Sequence, residues 1–229
     1  SVFYGEDTYR AREAYRAARE EARAKASAPV LLLRDEQLTP TALQAALGGD
    51  TLFGAHPPVA VERLTAFTGE AATAVADVLR HVPNDASVFI WEDGVPAANG
   101  IVWRTLQELA ECRQFSPLSE PEVLSWIAAR ASASGKTVDT TAGRALVARC
   151  GTSPWVLASE LDKLLLGAAE TITVADVEQT VPSAPDAEIF GVIRAVVHGQ
   201  SADALRALVA GSLSGEDPRR IFFLVLREV

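Results

Sequence analysis

Ser1-Val2-Phe3-Tyr4-Gly5-Glu6-Asp7-Thr8-Tyr9-Arg10 opens the chain and sets its fold. A short β-prone run ends on one glycine, and Asp7 then stands where a helix N-cap belongs. The helix runs to about Ala26, with Ala11, Ala14, Ala18 and Ala22 at helical spacing and Arg16/Glu20 and Glu21/Lys25 as i,i+4 pairs. One face packs and the other is solvated. The same alternation continues outward. Val30-Arg34, Val59-Glu62, Ser87-Trp91 and Arg113-Phe115 are further strand candidates. Between them come a helix started by Thr39-Pro40 and stopped by Gly48-Gly49, one from Gly69 to His81, and one from Asn99 to about Cys112. Strands alternating with helices predict a parallel sheet in a three-layer α/β unit over 1–116.

From Pro117 the β signal disappears. Ser119-Ser134, Asp139-Cys150 and Pro154-Leu166 read as three amphipathic helices, and Ile172-Thr173-Val174-Ala175-Asp176 as entry into a fourth, capped by Thr173. This predicts a small helical bundle over 117–184. Pro182 and Pro185 bracket a linker to a third segment, 185–229, with helices at Ala187-His198, Ala202-Leu213 and Pro218-Val229. Ile221-Phe222-Phe223-Leu224-Val225-Leu226 is apolar all round, so this last helix is expected to be buried or to lack a partner.

At 229 residues with 48% hydrophobic and 22% charged residues, the chain can bury a real core, and disorder is excluded as its main state. Length over about 150 residues per domain gives roughly 1.5, hence one large domain or two to three small ones. No run reaches the ~18 apolar residues of a membrane span, and Ser1-Val2-Phe3-Tyr4-Gly5 lacks the features of a signal peptide, so a soluble, cytoplasmic protein is expected. Met is absent, which suggests numbering that begins after processing or at an expression boundary. Cys112 and Cys150 have no nearby His or Cys, which predicts buried free thiols and no zinc site. The net charge of -9 argues against a stand-alone nucleic-acid binder. No segment hides a basic surplus, since 1–116 carries 11 basic against 16 acidic residues and the other two segments are also net acidic.

The strand-glycine opening invites comparison with the phosphate loop GxxxxGK[ST], whose backbone N–H groups and Lys neutralise phosphate oxygens. The motif is absent. Gly5 is followed by no lysine, and Glu6 and Asp7 place two carboxylates where an anion would sit, which argues against nucleotide hydrolysis. His56, His81 and His198 share no motif and read as structural or surface residues. Glu92 and Asp93 follow a strand end, where α/β enzymes keep their sites, and are equally placed to cap a turn. Glu160/Lys163 reads as a solvated i,i+3 pair. No catalytic residue, cofactor or metal ligand is therefore assigned. Leu52-Phe53, between Gly48-Gly49 and Gly54, differs in kind. Two large apolar side chains at a turn suit insertion into a pocket on another protein, with core packing as the alternative.

Taken in order, the motifs resemble the delta subunit of the bacterial DNA polymerase III clamp loader over essentially the whole chain. They are Phe3-Tyr4-Gly5-Glu6-Asp7 with Tyr9, Leu52-Phe53-Gly54, Val88-Phe89-Ile90-Trp91-Glu92-Asp93-Gly94 with Pro96, and Pro117-Leu118 with Trp126-Ile127-Ala128-Ala129-Arg130-Ala131. Trp155-Val156-Leu157-Ala158-Ser159-Glu160-Leu161-Asp162-Lys163-Leu164, Ile172-Thr173 with Asp176-Val177, Ile189-Phe190 and Gly215-Glu216-Asp217-Pro218 follow. His56-Pro57-Pro58 departs from the basic and apolar residues usual after Leu-Phe-Gly in that family. The resemblance implies a P-loop NTPase-like (AAA+) parallel-sheet domain with a degenerate phosphate loop at 1–116, a helical lid at 117–184, and the beginning of a helical collar at 185–229, cut short at Val229. It implies a subunit without productive ATP binding that opens the sliding clamp, with Leu52 and Phe53 as the wedge. The partners it implies are the clamp, the other clamp-loader subunits and, within the complex, primed DNA. An AAA+ NTPase with an atypical loop and a helical scaffold protein are the rival readings.

Overall fold

The computed structural model describes residues 1–26, 29–48, 57–83, 85–167 and 170–181. These fall into two compact units that divide after Pro117.

In the first unit, β1 (Val2–Tyr4), β2 (Leu31–Leu33), β3 (Val59–Glu62), β4 (Val88–Trp91) and β5 (Cys112–Gln114) form one sheet in the order β2-β3-β4-β1-β5. Every pairing is parallel, with Val2 opposite both Ile90 and Cys112. The connecting helices are α1 (Thr8–Lys25), α2 (Pro40–Gly48), α3 (Gly69–Arg80) and α4 (Ile101–Leu109). The chain runs from β1 to the far edge at β2, steps back through β3 and β4, and passes β1 to reach β5. With right-handed crossovers this places α1 on one face and α2, α3 and α4 on the other.

Side-chain alternation along each strand matches this split. Val2, Leu33, Val59, Val61 and Ile90 pack with Leu43, Leu47, Val75, Leu79, Val102 and Leu106 in the larger core, whereas Phe3, Ala60 and Trp91 pack with Ala11 and Tyr15 of α1. Each fully buried large aliphatic side chain contributes about 1.5–3 kcal/mol, so the three-helix side dominates the stability of this unit. Two aromatic contacts fix β1 between the layers. Phe3 meets Tyr15 edge-on at 6.3 Å, and Tyr4 meets Trp103 at 4.6 Å on the opposite face.

The expected boundaries shift by one to three residues, the largest at the helix expected to reach about Cys112, which ends at Leu109 before Cys112 opens β5. The strand expected at Arg113-Phe115 is Cys112–Gln114, and α4 begins at Ile101 because Asn99 and Gly100 form the turn that precedes it. Lys25 pairs with Glu21 at 2.5 Å as expected, but Glu20 pairs with Arg23 at 3.0 Å and not with Arg16. Two short 3-10 turns, Asp35–Gln37 and Leu64–Ala66, follow β2 and β3.

The second unit packs α5 (Glu120–Ala133), α6 (Thr140–Cys150), α7 (Pro154–Gly167) and α8 (Val174–Thr180) around Val123, Ile127, Leu146, Leu157, Leu161 and Val177. It is not purely helical. β6 (Thr137–Val138) and β7 (Thr171–Ile172) pair in parallel, with the Thr137 and Thr171 hydroxyl oxygens 2.9 Å apart. Two-residue strands have no periodicity to read, which is why the β signal seemed to stop at Pro117. Asp139 N–H donates to Ile172 C=O, so this small ladder fixes the start of α6.

Among the described residues no helix is long and apolar enough to cross a membrane. The helices expected at Ala187-His198, Ala202-Leu213 and Pro218-Val229 lie outside the described residues.

Thr173 and Asp176 cap α8 reciprocally. The Asp176 carboxylate accepts from Thr173 N–H at 2.8 Å, and Thr173 Oγ1 accepts from Asp176 N–H at 3.4 Å. Replacing the cap residue with alanine costs about 1 kcal/mol. Thr173→Ala is therefore expected to speed amide hydrogen exchange in α8 about fivefold, measured site by site, with exchange in α1 to α4 unchanged.

Candidate functional site

In a parallel α/β sheet, ligands sit beyond the C-terminal ends of the strands, where the chain reverses its direction of winding. Here that switch point lies between β1 and β4. It is bridged by main chain, for Gly5 N–H donates to Gly94 C=O at 3.0 Å. On the other side of β1, Asp7 N–H donates to Phe115 C=O at 3.0 Å. Gly5 has φ of +138°, and a β-carbon built there would lie 2.2 Å from Phe115 O. Only glycine tolerates that conformation and that approach.

The carboxylate expected at the helix N-terminus is Asp7, and its role is structural. It is buried, accepts from Arg10 N–H at 3.0 Å, and forms an ion pair with Arg10 Nε at 2.5 Å. Arg10 Nη2 in turn donates to Ser116 C=O at 2.6 Å. The N–H groups of Gly5, Asp7 and Arg10, which a phosphate-binding loop would turn toward an anion, thus have internal acceptors. A negative charge already occupies the helix end. Glu6, expected to share that role, is exposed.

The remaining strand ends are tied in the same way. Glu92, directly after β4, is buried and accepts from both Thr65 N–H at 3.0 Å and Thr65 Oγ1 at 2.5 Å. Of the two roles open to it, the geometry shows the cap: Glu92 ties β4 to the 3-10 turn after β3. Burial raises its pKa above the ordinary carboxylate range, with the Thr65 hydrogen bonds opposing. At the end of β2, Asp35 pairs with Arg63 from the end of β3, and both residues adopt left-handed backbone, with φ of 48° and 60°. Every neighbouring pair of strands is therefore linked beyond its ladder at this edge. Asp35, Arg63, Thr65 and Arg10 carry much of that network, and sequence reading did not single them out for it. Only the charged pair at Asp35-Glu36 after an apolar run hinted at it.

Leu52 and Phe53 lie outside the described residues, as do His56 and His198. α2 ends at Gly48, and Pro57 stands just before the N-terminal end of β3. Beside α2, a groove of about 460 Å³ runs between it and α3, lined by Pro40, Gln44, Leu47, Ala74, Asp77 and His81. His81 Nδ1 lies 2.7 Å from Asp77 C=O at the end of α3, a structural position.

Cys112 and Cys150 are free but only half-buried, against the expectation of full burial. Burial pushes the Cys150 thiol up to about 11, with Glu160 adding to the effect, so it is not a reactive thiolate. Glu160 meets Lys163 at 2.5 Å and is mostly shielded from water while Lys163 is half exposed. Among the described residues no group of His, Cys, Asp or Glu could hold a metal ion.

For Glu92 the sign of its pH effect follows from the raised pKa. The folded state holds the proton more tightly than the unfolded state, so ionised Glu92 opposes folding at neutral pH, and that cost is relieved as pH falls through its folded value. Glu92→Gln is therefore expected to gain stability relative to the parent as pH rises from about 4 to 7, measured by urea titration at each pH. A difference independent of pH would contradict the assignment.

No protein-family model matches the sequence, and no characterised protein sequence matches it significantly. Among solved structures, the Bacillus subtilis DNA clamp loader delta protein is similar over 98% of this chain and 70% of its own, with a TM-score of 0.60 and 19% identity. Thermotoga maritima RuvB is a weaker likeness, with 10% identity, 72% of this chain and 59% of that one covered, and a TM-score of 0.46. The chain therefore has a fold, built on a five-stranded parallel α/β sheet, that is shared with a clamp loader delta protein.

Proposed function

We propose that this chain is a clamp-loader delta-like subunit that binds and opens a ring-shaped DNA sliding clamp during replication, without ATP hydrolysis of its own. The observation that supports it most is a fold likeness to a clamp loader delta protein across 98% of the chain, at a sheet edge whose nucleotide position is closed by main-chain hydrogen bonds. On this reading, 1–116 is the AAA+-like domain, 117–184 the lid and 185–229 the beginning of the collar. The partners are the clamp, the other clamp-loader subunits and, through the complex, primed DNA, all in the cytoplasm. The NTPase alternative requires free amide donors and a lysine at the switch point, and Gly5 and Asp7 amides are already bonded there.

Leu52 and Phe53 are the proposed wedge. Burying both in a clamp pocket is worth roughly 3–6 kcal/mol, or about two to four decades of affinity. The double variant Leu52→Ala with Phe53→Ala is expected to lose clamp binding in a surface-immobilised assay while keeping its melting temperature. Retained binding with a strongly lowered melting temperature would show that the pair belongs to a core.

Calorimetric titration of the purified chain with MgATP is expected to show no saturable heat. Micromolar affinity would overturn the non-ATPase part of the proposal.

A further inference from the structure

Three buried side-chain donors on the α1 side of the sheet lack a hydrogen-bond partner, Arg12 Nε, Arg19 Nε and Trp91 Nε1, and the buried Tyr15 hydroxyl has only Arg19 beside it. Such groups are rare in folded proteins, and each calls for an explanation. The guanidinium of Arg12 stacks over Trp91 at 5.0 Å and that of Arg19 over Tyr15 at 5.2 Å, so both cations are held against aromatic faces. Burial keeps the Tyr15 hydroxyl protonated despite the two arginines, so it supplies no counter-charge.

Arg12 and Arg19 belong to a longer row. Arg12, Arg16, Arg19 and Arg23 fall at i, i+4, i+7 and i+11, one step around α1 from the packing row of Ala11, Tyr15, Ala18 and Ala22. The row is about 16 Å long. Arg16 and Arg23 are exposed. The carboxylates nearby include Glu13, which accepts from the Tyr9 hydroxyl at 3.0 Å, Glu20, which pairs with Arg23 at 3.0 Å, and Glu62, whose charge acts on Tyr15. Four guanidinium groups in line are conspicuous in a chain of net charge -9.

We propose that this arginine row on α1 is a docking site for a short acidic segment of a partner polypeptide. Guanidinium groups pair with carboxylates in two-pronged geometry, and the aromatic faces beneath Arg12 and Arg19 orient two of them in advance. The chain's net charge of -9 disfavours a long nucleic-acid strand, which would run on beyond the row, and so favours the shorter peptide. The proposal does not depend on the clamp-loader reading.

The test uses the full chain and a fluorescein-labelled oligoglutamate of about six residues, enough to span the row when extended. Fluorescence anisotropy is expected to show saturable binding that weakens as salt is raised. Arg16→Glu with Arg23→Glu, both exposed, is expected to weaken it at least tenfold with no change in melting temperature. Arg12→Gln with Arg19→Gln should weaken it as well. Absence of saturable binding at low ionic strength, or equal binding by the charge-reversed variant, would overturn the proposal. So would tighter binding of a single-stranded oligonucleotide of the same charge, lost in that same variant.

Discussion

The hydrogen bond from Gly5 N–H to Gly94 C=O is made at the point where the winding of the sheet reverses, and much of the first unit is arranged around it. It requires the turn after β1 to be tight, and so requires a glycine at φ +138° against Phe115. That tightness brings Asp7 under the first turn of α1, where it caps the helix and holds Arg10, and Arg10 reaches the chain after β5. The Glu92 link to Thr65 and the Asp35 pair with Arg63 continue the same construction toward β2. A crevice that α/β proteins commonly leave open to a ligand is here a continuous run of internal contacts.

Much of this architecture was legible because period and punctuation agreed. Asp7, Thr39-Pro40 and Thr173 mark helix starts by side-chain chemistry that acts within four residues, and the structure uses all three. The parallel sheet followed from the alternation of short apolar runs with helices. What escaped was non-local or too short to be periodic. The Thr137-Val138 pairing with Thr171-Ile172 depends on two dipeptides more than thirty residues apart brought together by the bundle. The left-handed conformation of Arg63 carries no signature in residue type, and that of Asp35 only the weak preference aspartate shares with asparagine. For the candidate site, the missing lysine after Gly5 was readable, whereas the main-chain acceptors that replace a ligand, Gly94 and Phe115, were not. Carbonyl oxygens are the same in every residue.

Two helices of the first unit show how one residue type serves different ends. On α1, Arg10 is tied to Asp7 and Ser116 and belongs to the fold, while Arg16, six positions on, is exposed. On α3, Arg80 pairs with Asp77 and reaches Thr105 of α4, sealing the layer of helices that carries most of the buried aliphatic surface. Charge count alone distinguishes none of these. Position relative to the packing row does.

Because the closure at Gly5, Gly94, Asp7 and Phe115 is built from peptide groups, it depends on side-chain identity only at Gly5, where a β-carbon would meet Phe115 O. A phosphate-binding loop needs several residues between strand and helix, and only Gly5, Glu6 and Asp7 stand between Tyr4 and Thr8. Placing a lysine at the start of α1 would leave the loop too short to expose its amides. A nucleotide site here would take an insertion together with retraction of the chain after β5, two changes of which neither suffices alone. The turn thus commits this end of the sheet to internal contacts, and reversing that commitment means rebuilding two connections at once.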